Sequence, residues 1–284
     1  VIIMDNCSVR ESAFYHRINE DKIFVRRIGK GKPILFLHGG PGGEHRFFLP
    51  HMAPLSEAFE LIFYDQRGCG KSVAPSGASF TMMQEVEALE TLRKELKIDQ
   101  LNIVGESWGS MLALLYAAKY PENVEKLVLT AAVGTSYEGF GVFERNLNDR
   151  LKDEDKNLLE LLSAKFEKGE AELKEIFAVL DPYYVHSPEA AAWKADTFSN
   201  ASVNEEMGKE IRENYDLRGK LSHISHIPIL ILQGESDIIS PKELEELLLK
   251  DLPHAELKVI PECGHWTVVE KPVEVMHHIS EFFQ

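Results

Sequence analysis

Gly105-Glu106-Ser107-Trp108-Gly109 lies between an apolar run, Leu101-Asn102-Ile103-Val104, and a helix-forming one, residues 110–120. A G-x-S-x-G pentapeptide in a strand–turn–helix setting reads as a nucleophile elbow, where a serine stands on a sharp turn at the end of a buried strand. The two glycines keep Cβ atoms out of the space where chain and substrate approach one another. The pentapeptide alone is weak, because it arises by chance in roughly one chain in ten of this length. Its setting carries the reading.

Similar apolar runs recur on either side of the elbow. Pro33-Ile34-Leu35-Phe36-Leu37, Leu61-Ile62-Phe63-Tyr64, Leu127-Val128-Leu129 and Ile229-Leu230-Ile231-Leu232 are short and almost continuously apolar, and Lys258-Val259-Ile260 adds a weaker last one. Parallel strands covered by helices on both faces need that continuity. Between the runs lie helical patterns. Val86, Leu89, Leu92 and Leu96 share one face of residues 81–96. Ser240-Pro241-Lys242-Glu243 is a capping box opening a helix through Lys250, and Pro272 opens a last helix that buries Met276, Ile279 and Phe283. Near the start, Phe14, His16 and Ile18, then Ile23, Val25 and Arg27, flank the turn-like Asn19-Glu20-Asp21 as an antiparallel hairpin.

The alternation of strand and helix predicts an α/β fold, a mostly parallel sheet with helices on both faces. From about residue 135 to 222 no buried strand is legible, and residues 146–168, 170–180 and 203–215 are charged and helix-forming. This predicts a helical cap, 135–222, inserted between two strands of a core made of 1–134 and 223–284. Such a cap would cover the carboxyl edge of the sheet, where open α/β sheets bind ligands. Removing it is expected to change selectivity far more than it disturbs the sheet.

The chain has 284 residues, 44% apolar and 27% charged, and a formal charge of −15. It is long enough for one large domain with an insertion. The negative charge excludes nucleic acid as a partner, since phosphates would be repelled. No apolar run reaches membrane-spanning length, and Val1-Ile2-Ile3-Met4 is too short for a signal peptide. Cys7, Cys69 and Cys263 are few, scattered and without a C-x-x-C pair. A cytoplasmic setting without a membrane partner is expected. No HExxH, EF-hand or Cys/His cluster points to a metal.

A serine hydroxyl becomes a nucleophile only when a base takes its proton and an acid holds that base in the right tautomer. Asp237 follows the strand that ends at Leu232, and His265 follows the one that ends at Ile260, so both fall at the sheet edge of Ser107. His277 and His278 sit inside the last helix, His223 and His226 precede a strand, and Asp251 follows a helix. Acyl transfer also needs N–H donors for the oxyanion. The Trp108 N–H at the elbow is one, and His38-Gly39-Gly40-Pro41-Gly42-Gly43 supplies the other at Gly40. Asp65-Gln66-Arg67-Gly68-Cys69-Gly70-Lys71-Ser72 ends like a P-loop. It has Asp65 where that motif requires glycine, so it reads as a structural loop with Asp65 and Arg67 paired at the cleft's edge.

Together, HGGPG, DQRGxGxS and GxSWGS resemble the α/β-hydrolase superfamily and, within it, the proline iminopeptidase-like serine peptidases, over nearly the whole chain. The resemblance implies Ser107 as nucleophile with Asp237 and His265 as partners, and no cofactor. It also implies cleavage of an amide after an N-terminal proline or other small residue of a short peptide. Acidic side chains of the cap and near the aspartate hold the free amine in those peptidases. The ENHYF-type cap motif of long-form members is absent here, and Ile238 follows Asp237 where short-form relatives can carry an acid. Glu144, Glu205 and Glu206 are the candidates for the amine, and Glu44 is a further candidate for substrate binding. Tyr183, Tyr184, Trp193 and Phe198 are candidates for an apolar pocket wall. Two other readings stay open: an esterase or lactonase using the same serine on a small-molecule substrate, and a ligand-sensing protein built on a hydrolase pocket.

Overall fold

The computed structural model describes residues 10–284; residues 1–4 and Cys7 lie outside the described residues. The chain opens with a hairpin, β1 (Glu11–Ile18) and β2 (Asp21–Gly29), paired in register with His16 opposite Ile23. Then come β3 (Lys32–Leu37), β4 (Phe59–Tyr64), α1 (Met82–Glu95), β5 (Leu101–Glu106), α2 (Trp108–Lys119) and β6 (Val124–Thr130). Four helices follow without an intervening strand: α3 (Tyr137–Arg150), α4 (Asp153–Glu167), α5 (Leu173–Leu180) and α6 (Ala201–Asn214). The sheet resumes with β7 (Ile229–Gly234), α7 (Pro241–Leu244), β8 (Glu256–Ile260), α8 (Thr267–Glu270) and α9 (Pro272–Phe283).

The eight strands form one sheet in the order β1-β2-β4-β3-β5-β6-β7-β8, and only β2 runs against the rest. Successive side chains of a strand point to opposite faces, and here both faces are covered. Ile103, Leu127, Leu129, Ile229 and Ile231 enter the core cluster that holds α1 and α2, while Val104, Val128, Leu230 and Leu232 enter the one that holds α8 and α9. Every residue in those strand centres is therefore buried, and each such aliphatic side chain contributes roughly 1.5–3 kcal/mol of transfer energy. β8 gives a fainter signal because it is the sheet's edge, with Val259 half exposed.

Two helices differ from the sequence reading. Residues 146–168 are not one helix, because Leu151 and Lys152 are extended and the chain turns between α3 and α4. Asp153, Glu154 and Asp155 occupy the first turn of α4, where acids complement the helix dipole. The helix opened by the Ser240–Glu243 capping box stays α-helical only to Leu244, then widens into a π-turn at Glu245–Leu249.

Candidate active site

Ser107 links β5 to α2 with φ 54° and ψ −116°, a conformation that costs a non-glycine residue on the order of 1–3 kcal/mol. The surroundings enforce it. A Cβ on Gly105 would stand 2.3 Å from the Gly109 carbonyl oxygen, and one on Gly109 would stand 2.1 Å from that of Leu37. Strand and helix can meet this closely only through glycine. The Ser107 N–H donates to the Thr130 carbonyl at 3.0 Å, and its own carbonyl accepts from the N–H and hydroxyl of Ser110.

Because β5, β7 and β8 are parallel, the loops after them share one edge of the sheet, and Ser107, Asp237 and His265 converge there. His265 Nε2 lies 2.9 Å from Ser107 Oγ, and its Nδ1 lies 2.8 Å from Asp237 Oδ1. Asp237 and His265 are buried. The carboxylate places the ring proton on Nδ1, which leaves Nε2 free to accept from the hydroxyl. Burial alone disfavours the imidazolium, but the facing Asp237 carboxylate outweighs it and raises the His265 pKa above the ordinary histidine value.

Helices between β6 and β7 reach these loops directly. The Arg150 guanidinium of α3 donates to the carbonyls of Ser236 at 3.0 Å and Asp237 at 2.5 Å. The His265 N–H donates to the Tyr184 carbonyl at 2.6 Å. The rings of Phe143 and Tyr184 cover the imidazole, with centroids 4.9 and 5.6 Å away.

The three glycine-rich motifs are hydrogen-bonded to one another through buried side chains. Trp108 Nε1–H donates to Gln66 Oε1 at 2.8 Å, Gln66 Nε2–H donates to the His38 carbonyl at 2.9 Å, and the Gln66 N–H donates to His38 Nε2 at 3.1 Å. Burial lowers the His38 pKa, in keeping with its neutral, acceptor role. Gly40 has φ 122°, and a Cβ there would lie 2.6 Å from the Gly42 nitrogen. The expected pairing of Asp65 with Arg67 is incorrect. Asp65 turns inward, accepting from the backbone N–H and Nδ1 of His45 at 2.9 and 2.8 Å, and Arg67 turns to Asp21 at 2.5 Å. Burial opposes the Asp65 charge, but its bonds to His45 hold its carboxyl below the usual range. Glu44, His45 and Asp65 bring ligand atoms within 4.8 Å of one another, yet they are already engaged with protein donors and acceptors. That cluster needs no metal to be satisfied.

A cavity of about 180 Å³ opens above Ser107 and His265. Gly40 and Trp108 line it beside them, and Phe47, Phe140, Phe143 and Phe177 give it apolar walls. Of the acids named from the sequence, Glu44 lines the cavity, its carboxylate engaged by Arg46 at 2.5 Å and by the Phe198 N–H at 2.6 Å. Glu144 is turned away to Arg212, Glu205 is exposed, and Glu206 accepts from the Phe80 N–H. Tyr183 donates to Asp155 on α4, away from the cavity, whereas its neighbour Tyr184 lines the wall. Trp193 and Phe198 are more than half exposed.

Three charged residues of the wall were not named from the sequence as site residues. Asp181 and Lys194 form an ion pair at 3.1 Å. Glu106, the residue before the serine, is buried with Oε1 lacking a hydrogen-bond partner among the described residues, and burial pushes its carboxyl up to about 8. Its one signal in the sequence is an acid closing an otherwise apolar strand.

Residues 32–272 match the family described as alpha/beta hydrolase fold. A proline iminopeptidase of Lactobacillus delbrueckii subsp. bulgaricus is 29% identical over 280 residues, covering 91% of this chain and 93% of that protein. Among solved structures, an alpha/beta fold family hydrolase from Bacillus anthracis str. Sterne superimposes with a TM-score of 0.76 at 20% identity, covering 95% of this chain and 99% of that one. A proline iminopeptidase from Mycobacterium smegmatis gives 0.73 at 20% identity, with 95% and 97% coverage.

Proposed function

The chain belongs to the α/β-hydrolase fold family, and from that membership we propose that it is a serine hydrolase, an aminopeptidase that releases N-terminal proline or another small residue from short peptides. The observation that carries the chemistry is the hydrogen-bonded chain from Asp237 through His265 to Ser107 Oγ beneath a small cavity. The relative from Lactobacillus delbrueckii, alike over nine-tenths of both chains, supports the peptidase reading. The cavity's size agrees with it, since an engineered void of about 150 Å³ already accepts a benzene ring. A five-membered ring fits the 180 Å³ available here.

In this reading His265 Nε2 takes the Ser107 proton as Oγ bonds to the scissile carbonyl carbon. The resulting oxyanion is met by the N–H groups of Trp108 and Gly40, each typically worth about 3 kcal/mol of barrier. The Trp108 N–H, in the first turn of α2, has no acceptor within its own helix. The imidazolium, stabilised by Asp237, protonates the leaving nitrogen as the C–N bond breaks, and water then hydrolyses the acyl-enzyme by the same route. Residues 135–222 act as a cap that closes the cavity over the acyl group.

The test compares kcat/KM for prolyl- and alanyl-arylamides, their amine-blocked forms and a short p-nitrophenyl ester, in the wild type and in Ser107→Ala. Cleavage of the free amides, lost on blocking and reduced by three or more orders of magnitude in the variant, is expected. Turnover of the ester alone would move the protein to the esterase reading. Appreciable activity in a folded Ser107→Ala would remove the serine from the mechanism.

A further inference from the structure

Three acids line the cavity, and they differ in what neutralises them. Glu44 is held by Arg46 and the Phe198 N–H, and Asp181 by Lys194. Among the described residues Glu106 has neither a cation nor a hydrogen-bond donor on Oε1, although its side chain is buried. A buried acid without a counter-charge is costly when ionised, and a cation placed beside it in the cavity would remove that cost.

The position of that place is constrained by covalent geometry. In an amino-acyl group the α-nitrogen lies about 2.5 Å from the carbonyl carbon, as the two backbone bonds and their angle require. With the carbonyl carbon on Ser107 Oγ, the amine's partner must come from the immediate surroundings of the serine. Glu144 and Glu205 face solvent, and Glu206 is bound to the Phe80 N–H. Glu106 adjoins Ser107 in the chain and lines the same wall. Its Oε2 lies against the glycine loop, where a Cβ on Gly39 would stand 2.7 Å from it.

We propose that Glu106 is the anchor for the ammonium group of a small aliphatic amine, and in the aminopeptidase reading, on which its biological sense rests, for the substrate's free N-terminus. This also fits the absence of an acid after Asp237. Burial pushes the carboxyl up to about 8, with His265 lowering and Asp237 raising it, so near neutral pH it is held mostly protonated. Tyr184 is the third titratable group that senses it. An arriving ammonium supplies the missing counter-charge. Glu106 then gives up its proton to solvent, or to the amine itself if that arrives uncharged, so charge and protons balance in either case.

The probe is pyrrolidine, a cation near neutral pH, against its neutral analogue cyclopentanol, each as a competitive inhibitor of p-nitrophenyl acetate hydrolysis. In the wild type the inhibition constant for pyrrolidine should be about tenfold or more below that for cyclopentanol. In Glu106→Gln the ratio should fall close to one, whatever the ester rate of that variant, and Glu106→Asp should keep part of it. A ratio preserved in Glu106→Gln, or one lost in Asp181→Asn and kept in Glu106→Gln, overturns the proposal. Prolyl-arylamide turnover reports separately on the peptidase reading. No amide cleavage with cation discrimination intact removes the peptidase and keeps the ammonium site. Amide cleavage with an unaltered KM in Glu106→Gln removes Glu106 and keeps the peptidase.

Discussion

Two neighbouring residues at the turn after β5 carry opposite demands. Ser107 is held in a strained backbone conformation so that its hydroxyl reaches the His265 imidazole, and Glu106 is held where its charge is least welcome. The second demand has a consequence for stability. The Glu106 pKa is about 8 in the folded protein against about 4.5 for an unperturbed glutamate. Between those values the folded state binds more protons than the unfolded one, so stability falls as pH rises through that window and levels off above it. The full loss is on the order of 4–5 kcal/mol. Glu106→Gln cannot ionise. Its melting temperature relative to wild type should therefore rise steadily between about pH 5 and pH 8.5, by about 10 °C or more in all. A difference independent of pH, measured by scanning calorimetry, would show that Glu106 does not carry this titration. Ser107 and Glu106 also mark the boundary of what was legible. Ser107 and Asp237 follow recognisable buried strands and His265 follows the fainter edge strand β8, so their meeting at one edge follows from strand direction. Glu106 occupies a variable position of its motif, and its burial is created by distant residues. The same limit explains Tyr183, one residue from the cavity-lining Tyr184, where no periodicity fixes which side chain faces in.

At the scale of elements, the strands were readable because both faces of the sheet are covered and the centres of β3 to β7 are almost continuously apolar. The break at Leu151 and Lys152 was not, because neither residue is a glycine or proline and the turn arises from packing. The pairing of Asp65 with Arg67 failed for a related reason. Nearness along a loop does not decide which way each side chain turns, and His45 and Asp21 come from other segments. The loops themselves form a unit that no single motif announces. The Gln66 amide joins the indole of Trp108 to the carbonyl of His38, so the elbow and the glycine loop share one support. Gln66→Leu leaves a buried N–H and a buried carbonyl short of a partner, at roughly 1–3 kcal/mol each. Trp108→Phe removes one of those groups. Urea unfolding of the double variant should then show a loss smaller than the sum of the two single losses, by about 1 kcal/mol. Strict additivity would mean that the two side chains stabilise their loops independently.

For the whole molecule, the helices between β6 and β7 are bonded to the loops that carry Asp237 and His265 and do not merely roof the cavity. This changes the expectation that removing residues 135–222 would act mainly on selectivity. Arg150 holds two carbonyls of the Asp237 loop, and the Tyr184 carbonyl holds the His265 N–H. The central link is Glu270 at the end of α8. Its buried carboxylate accepts from the Gly264 N–H at 2.6 Å and, from the segment after Tyr184, the N–H groups of His186 at 2.9 Å and Ser187 at 3.3 Å. Gly264 adjoins His265, so one side chain ties residues 186 and 187 to the histidine loop. Glu270→Ala leaves three N–H groups without that acceptor, each loss costing on the order of 1 kcal/mol or more, and should lower the melting temperature by several degrees. It should also lower kcat about tenfold or more while changing KM little, because a small displacement of the imidazole disturbs proton transfer more than binding. Glu270→Gln, which keeps one acceptor oxygen, should fall between wild type and Glu270→Ala on both scales. A stability loss with kcat unchanged would mean that the histidine loop holds its geometry without the cap. The cap would then be free to open and close without disturbing the bond between His265 and Ser107.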